Sequence, residues 1–167
     1  EEFGQLRKIA QVGGCGVLFQ PNVTALYDFL FPTILRRLPQ MRSIGYVKKH
    51  PVFTSLPADC VLGYEYAEIA PRIFDQGDDV VAAGGTVLSG CMSMHMWTRP
   101  ADYGWGASLY EVPFGKGRII VCQYRLLEDP KDPAARAMMA DLLNYAASKI
   151  VPGGDEKLLS RCIDPLD

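Results

Sequence analysis

The sequence predicts a mixed α/β domain, and three stretches carry that prediction. Near the start, Phe3, Leu6, Ile9 and Ala10 recur at helical spacing until Gly13-Gly14 stops them, and the apolar run Val17-Leu18-Phe19 follows. Helix, glycine pair and buried strand in succession is ordinary α/β punctuation. Further on, Ser108 to Val112 and Arg118 to Tyr124 flank Pro113-Phe114-Gly115-Lys116-Gly117, a hairpin pattern in which Gly115 and Gly117 can supply positive φ. Asp132 then caps a helix that opens on Pro133 and carries Ala135, Met138, Met139, Leu142 and Ala146 as one apolar stripe.

The remaining elements follow in chain order. Asn22 is placed to cap a helix through Val23, Leu26, Tyr27 and Leu30, ended or kinked by Pro32, with a further helical turn over Thr33 to Leu38. Ile44 to Val47 reads as a short extended piece, and His50-Pro51-Val52-Phe53 opens a turn-rich loop that closes near Pro57. Val61 to Ile69 alternates imperfectly, as a strand would. Val80 to Ala83 and Thr86 to Leu88 are β-prone, and Gly84-Gly85 between them predicts a second hairpin. Gly90 to Gly106, rich in Met, Trp, Tyr and Gly, predicts a long loop. Gly153-Gly154 closes the last helix. The expected organisation is one domain over residues 1–154 and a polar tail over 155–167, with no internal repeat.

Composition narrows the function classes. Hydrophobic residues form 49% of the 167 and charged residues 22%, so the chain has the material for a packed core. The net charge of −2, with basic residues only in short pairs such as Arg36-Arg37 and Lys48-Lys49, argues against a nucleic-acid partner. No apolar run approaches the roughly 20 residues that span a bilayer. Cysteines at 15, 60, 91, 122 and 162 are odd in number and never at CxxC spacing, which argues against zinc ribbons and favours a reducing, cytoplasmic setting.

Three segments together carry a family resemblance. Gln5 to Gly14 followed by Val17-Leu18-Phe19, then His50-Pro51-Val52-Phe53-Thr54-Ser55-Leu56-Pro57, then Gly115 to Gln123 with Asp132-Pro133 and the last helix, stand in a characteristic order. Over residues 5 to 148 the chain resembles a class I glutamine-amidotransferase-like domain, with its helix–glycine pair–strand, its HPxFxxLP loop and its closing strand and helix. The resemblance implies a flavodoxin-like sheet with flanking helices. It also implies that the first strands of that sheet, and the turn that holds an active enzyme's nucleophile, are missing ahead of residue 3. Many such domains lack amidotransferase activity and sit inside glycoside hydrolases of the β-galactosidase type.

The candidate chemistry is thin. Cys91 follows a strand-like run and has His95 four residues on, so this pair is the nucleophile candidate, although His95 in a Met-rich loop is not a positioned base. Cys15 in Gly14-Cys15-Gly16 has the wrong order for a nucleophile turn, with a helix before it and a strand after. His50 lacks the following Glu of a His-x-Glu pair and is expected to bond the backbone of its own loop. Glu65, Glu68 and Glu111 are the carboxylates available for glycoside hydrolysis, but three residues apart on a strand Glu65 and Glu68 would face opposite sides. With two histidines and no clustered carboxylates, no metal site and no cofactor is expected. Trp97, Arg99, Tyr103 and Trp105 form an aromatic loop suited to a partner surface or a carbohydrate. These features favour a non-catalytic structural or interaction domain of a larger carbohydrate-active enzyme, held against neighbouring domains or subunits or a second copy of itself. The alternatives are a sugar-binding module built on the aromatic loop and a cysteine-dependent amidotransferase or hydrolase.

Overall fold

The computed structural model describes residues 2–22, 37–39, 43–58, 60–93 and 104–149. Helix α1 (Glu2–Gln11) leads into strand β1 (Cys15–Phe19). Gly13 ends α1 at φ 110°, and the Gly14 amide donates to the Ile9 carbonyl at 2.9 Å, so glycine closes the helix as the sequence predicts. Strands β2 (Arg37–Pro39), β3 (Ser43–Val47) and β4 (Cys60–Val61) follow, then a 3₁₀ turn over Tyr64–Tyr66 and strand β5 (Ile73–Gln76). Helix α2 (Gly77–Ala82), the long strands β6 (Thr86–Ser93) and β7 (Gly104–Phe114), β8 (Gly117–Cys122) and helix α3 (Pro133–Ser148) complete the described elements.

All eight strands among the described residues belong to one mixed sheet. Its main path runs β1-β8-β7-β6-β3-β4, and β5, itself paired to β2, joins the free edge of β7 beyond the end of β8. Only β1 and β8 pair in parallel; every other described pair is antiparallel. One face of the sheet packs on α3 through Leu88, Leu109, Ile120, Cys122, Met138 and Leu142. The other packs on α1 and α2 through Ala10, Val80, Val87, Tyr110, Ile119 and Val121.

Several predictions from local pattern give way to tertiary context. Val80 to Ala82 are helical and Ala83 caps the helix, so the stretch is not a hairpin arm. Asp78 and Asp79 favour a helix N-terminus, and Gly84 at φ 79° with amides returning to Val81 and Val80 is a helix stop, which the sequence pattern mimics as a β-turn. Val61 to Ile69 is not a strand: pairing stops after Val61 and the chain enters the 3₁₀ turn. The supposed loop from Gly90 to Gly106 belongs to β6 up to Ser93 and to β7 from Gly104, because cross-strand pairing overrides a composition poor in strand formers. Arg37 and Leu38 lie in β2 and not in a helical turn. The hairpin β7–β8 and the Asp132 cap, which accepts from the Ala135 amide at 2.8 Å, form as predicted, with Gly115 alone at positive φ. The last helix ends at Ser148 with Lys149 as its cap, ahead of the Gly153-Gly154 stop expected from the sequence. The helix expected over 23–30 and the tail over 155–167 lie outside the described residues.

The His50 to Pro57 loop is a bolt between the sheet and α3. Val52 and Phe53 are buried in the α3-side core. Asp141, in the middle of α3, accepts from the amides of Thr54 at 2.9 Å and Ser55 at 2.8 Å and from both hydroxyls.

Candidate functional site

Among the described residues, those predicted for chemistry do not assemble into a catalytic group. Cys91 lies on β6 with 1% of its surface exposed, its sulfur 3.1 Å from where a Cβ on Gly106 of β7 would fall. Its proposed partner His95 lies outside the described residues, as do Trp97, Arg99 and Tyr103. Cys122 is fully buried, which pushes its thiol up to about 12, and burial carries Cys15 to about 11 despite the nearby Arg118. Thiols so held are poor nucleophiles at neutral pH. Iodoacetamide is expected to leave Cys91 and Cys122 of the native protein unmodified while a model thiol reacts fully, and to label both in denaturant; peptide mass mapping reads the outcome.

His50 behaves as a loop residue. Its Nδ1 accepts from the Val52 amide at 3.3 Å, and its ring meets Tyr145 edge-on with centroids 5.1 Å apart. Burial holds its pKa below the ordinary value. Glu111 accepts from Arg118 and from the Tyr145 hydroxyl, each at 3.0 Å, and burial together with Glu111 pushes the Tyr145 phenol up to about 12. Glu65 and Glu68 lie exposed in and just after the 3₁₀ turn, so the opposed-face geometry expected of a strand does not apply to them. Among the described residues no group of three or more His, Cys, Asp or Glu side chains is placed to hold a metal ion.

Trp105 is the described member of the aromatic loop, and its ring is committed. It lies over Gly77, where a Cβ would fall 2.4 Å from the ring, and Nε1 donates to Asp78 at 2.7 Å. One face of the indole thereby fastens α2 to β7. Trp105→Phe is expected to lower stability by about 1 kcal/mol through loss of that hydrogen bond, measured by urea unfolding.

The polar constellation that sequence reading missed lies where β6 and β7 are irregular. Register shifts between Val87 and Gly90 break the regular alternation of the two strands. The irregularity brings the Ser89 and Ser108 hydroxyls within 2.8 Å, and Tyr124, just past β8, donates to Ser89 at 3.1 Å. All three residues are buried. Beside them, fully buried Asp75 accepts from the Tyr110 hydroxyl at 2.9 Å and from the Gln123 amide at 2.7 Å. Gln20, at the C-terminal end of β1, has φ 42° and donates its amide to the Cys122 carbonyl. Polar groups and unusual backbone thus gather near the carboxyl ends of the parallel pair, the usual place for a site in an α/β sheet. Serines and a tyrosine from three strands and loops carry no spacing signal, which is why only the fold reveals them.

Above the hydroxyl cluster opens a cleft of about 230 Å³, lined by Leu62, Pro71, Phe74, Gly90, Ser108 and Tyr124 together with smaller rim residues. No helix of the described residues is long and apolar enough to cross a membrane. In comparisons with known proteins, no family model matches the chain and no curated sequence matches it.

Proposed function

We propose that this chain is a non-catalytic structural and interaction module of glutamine-amidotransferase-like, flavodoxin-like architecture, seated beside the other domains or subunits of a larger carbohydrate-active enzyme. The observation that carries this reading is the state of β1. Among the described residues it pairs with β8 alone, so it lies at the edge of the sheet. Yet its sequence, Cys-Gly-Val-Leu-Phe, has no charge or proline of the kind that guards an edge. Both of its faces are packed: Cys15, Val17 and Phe19 lie on the α3-side core, Leu18 and Gly16 on the α1 side. A continuous apolar run with a helix on each face is how an interior parallel strand is built. Such an edge accepts a further strand, as expected of an amidotransferase-like sheet that continues past β1. The buried Cys91 and Cys122 thiols and the engaged Glu111 support a role without catalysis by those groups. The link to glycoside hydrolases rests on the resemblance of the three sequence segments.

Hydrogen exchange and native mass on the isolated chain test the reading. Outward-facing β1 amides are expected to exchange far faster than those of β7, or else the chain is expected to self-associate through that edge. A stable monomer with β1 protected as fully as β7 would sink it.

A further inference from the structure

We infer that the segment from Val61 to Glu68, with the cleft it borders, is a docking surface for a partner protein segment that presents one apolar side chain beside a lysine or arginine. Among the described residues this surface lies at the β4 end of the main strand path, the end opposite β1. It therefore stands or falls separately from strand addition at the β1 edge.

The cleft is a socket for an apolar group. Leu62, Ala67, Pro71 and Phe74 wall it, and the hydroxyls of Ser89, Ser108 and Tyr124 beneath are buried and bonded to one another. The floor thus holds no donor that a polar ligand could use, and an apolar side chain entering the cleft leaves no hydrogen bond unmade. At about 230 Å³ the cleft is smaller than the pockets that hold drug-sized ligands, so it takes a single side chain.

The rim sets what must stand beside that side chain. Tyr64 is 97% exposed in the 3₁₀ turn, and Val61 just before it is 61% exposed. An apolar ring left in water at the edge of a socket is the kind of anchor that a protein partner covers. Glu65 and Glu68 are exposed, and among the described residues neither carboxylate has a hydrogen-bond or ion-pair partner. The Glu65 carboxylate occupies the space that a Cβ on Gly63 would take, at the mouth of the cleft. Two carboxylates so placed attract a cation and repel an anion, which makes the flanking residue of the partner basic. The same charges disfavour an anionic lipid surface. The platform is also fixed in advance. Tyr66 is buried, donates its hydroxyl to the Pro57 carbonyl at 2.8 Å and meets Tyr124 with ring centroids 5.9 Å apart. Arg125 donates its amide to the Ile69 carbonyl at 2.9 Å and Nε to the Ala70 carbonyl at 2.7 Å. A surface held this way loses little freedom on binding.

Amide-detected NMR titration of the whole chain tests the inference with acetylated, amidated peptides. The first is Gly-Ser-Lys-Phe-Lys-Ser-Gly; the second has glutamate for both lysines, and the third has alanine for phenylalanine. The first is expected to bind saturably with a Kd of about 0.1–1 mM, to weaken with added salt, and to shift the Leu62, Gly63, Ala67 and Gly90 amides. The other two are expected not to saturate over the same range. Glu65→Lys, at an exposed position, is expected to weaken the first peptide about fivefold. Tyr64→Ser is expected to weaken it about tenfold. Away from the surface, the spectra of both variants should match that of the natural protein. Absence of saturable shifts with the first peptide at millimolar concentration would overturn the inference, as would equal binding of the lysine and glutamate peptides. A dimer of the chain that Tyr64→Ser abolishes and the peptide does not displace would assign the surface to a second copy and overturn it too. Full protection of β1 in hydrogen exchange, together with saturable peptide binding, would remove the strand-addition reading and uphold this surface.

Discussion

Gly90→Ala is expected to lower the stability of the domain by about 4 kcal/mol, which for a chain of this size shifts Tm by roughly 10 °C. A Cβ at this position would fall 1.9 Å from the Gly106 carbonyl oxygen and 3.0 Å from the Tyr46 hydroxyl. The nearer obstacle is backbone, so no rotamer change relieves it. Gly106 is also fixed from both sides, in register with Cys91 on β6 and with Gln76 on β5. The sheet must therefore open locally or lose its irregular register, which would also scatter the Ser89 and Ser108 hydroxyls. Gly4→Ala provides the contrast. It lies in α1 with open space around it, and alanine there is expected to stabilise by about 0.5–1 kcal/mol through helix propensity. Paired thermal and urea melts of the two variants separate crowding from propensity. An unaltered Gly90→Ala melt would mean that β6 and β7 do not approach this closely.

Asp141→Ala is expected to cost about 2–3 kcal/mol, because hydrogen bonds to a charged acceptor are stronger than neutral ones and four donors lose theirs together. Thr54 and Ser55 are exposed enough to recover water, which keeps the loss below that of a sealed ion pair. The same site has a pH signature. Burial pushes the Asp141 carboxyl up, but the bonds from Thr54 and Ser55 outweigh it and hold the pKa below its ordinary value. A depressed carboxyl pKa stabilises the fold fully above the unfolded-state pKa of about 3.9 and loses that contribution as pH falls through the folded value. Stability of the natural protein is therefore expected to fall below about pH 4. The Asp141→Ala variant should show a shallower fall over the same window. Identical slopes in urea melts across that range would remove Asp141 from the acid dependence.

Legibility in the sequence followed how local the cause was. The α1–glycine–β1 unit, the β7–β8 hairpin and the Asp132-Pro133 start of α3 were readable because each is set by residues within a few positions of one another. The Val80 to Ala83 stretch reads as a strand in the sequence because the same Gly84-Gly85 pair ends a helix or turns a hairpin, and only packing of Val80 under the sheet decides between them. The middle of the sheet was obscure for a related reason. Met92 and the glycines at 90 and 106 have no strong strand preference, and their pairing across β6 and β7 holds them extended.

By itself the sequence determined an α/β domain, its best-capped helices, its closing hairpin, and a His50–Pro57 loop bonded to its own backbone. Tertiary structure alone decided that, among the described residues, the sheet is mainly antiparallel with one parallel pair and β1 lies at its edge although built like an interior strand. It also decided that Asp141 clamps a loop 86 residues away in sequence, and that Ser89, Ser108 and Tyr124 meet beneath a cleft. The physical reason is one of range. Caps, turns and amphipathic stripes are fixed by neighbours along the chain, whereas register, burial and the convergence of hydroxyls are set by strands that meet only when the sheet closes.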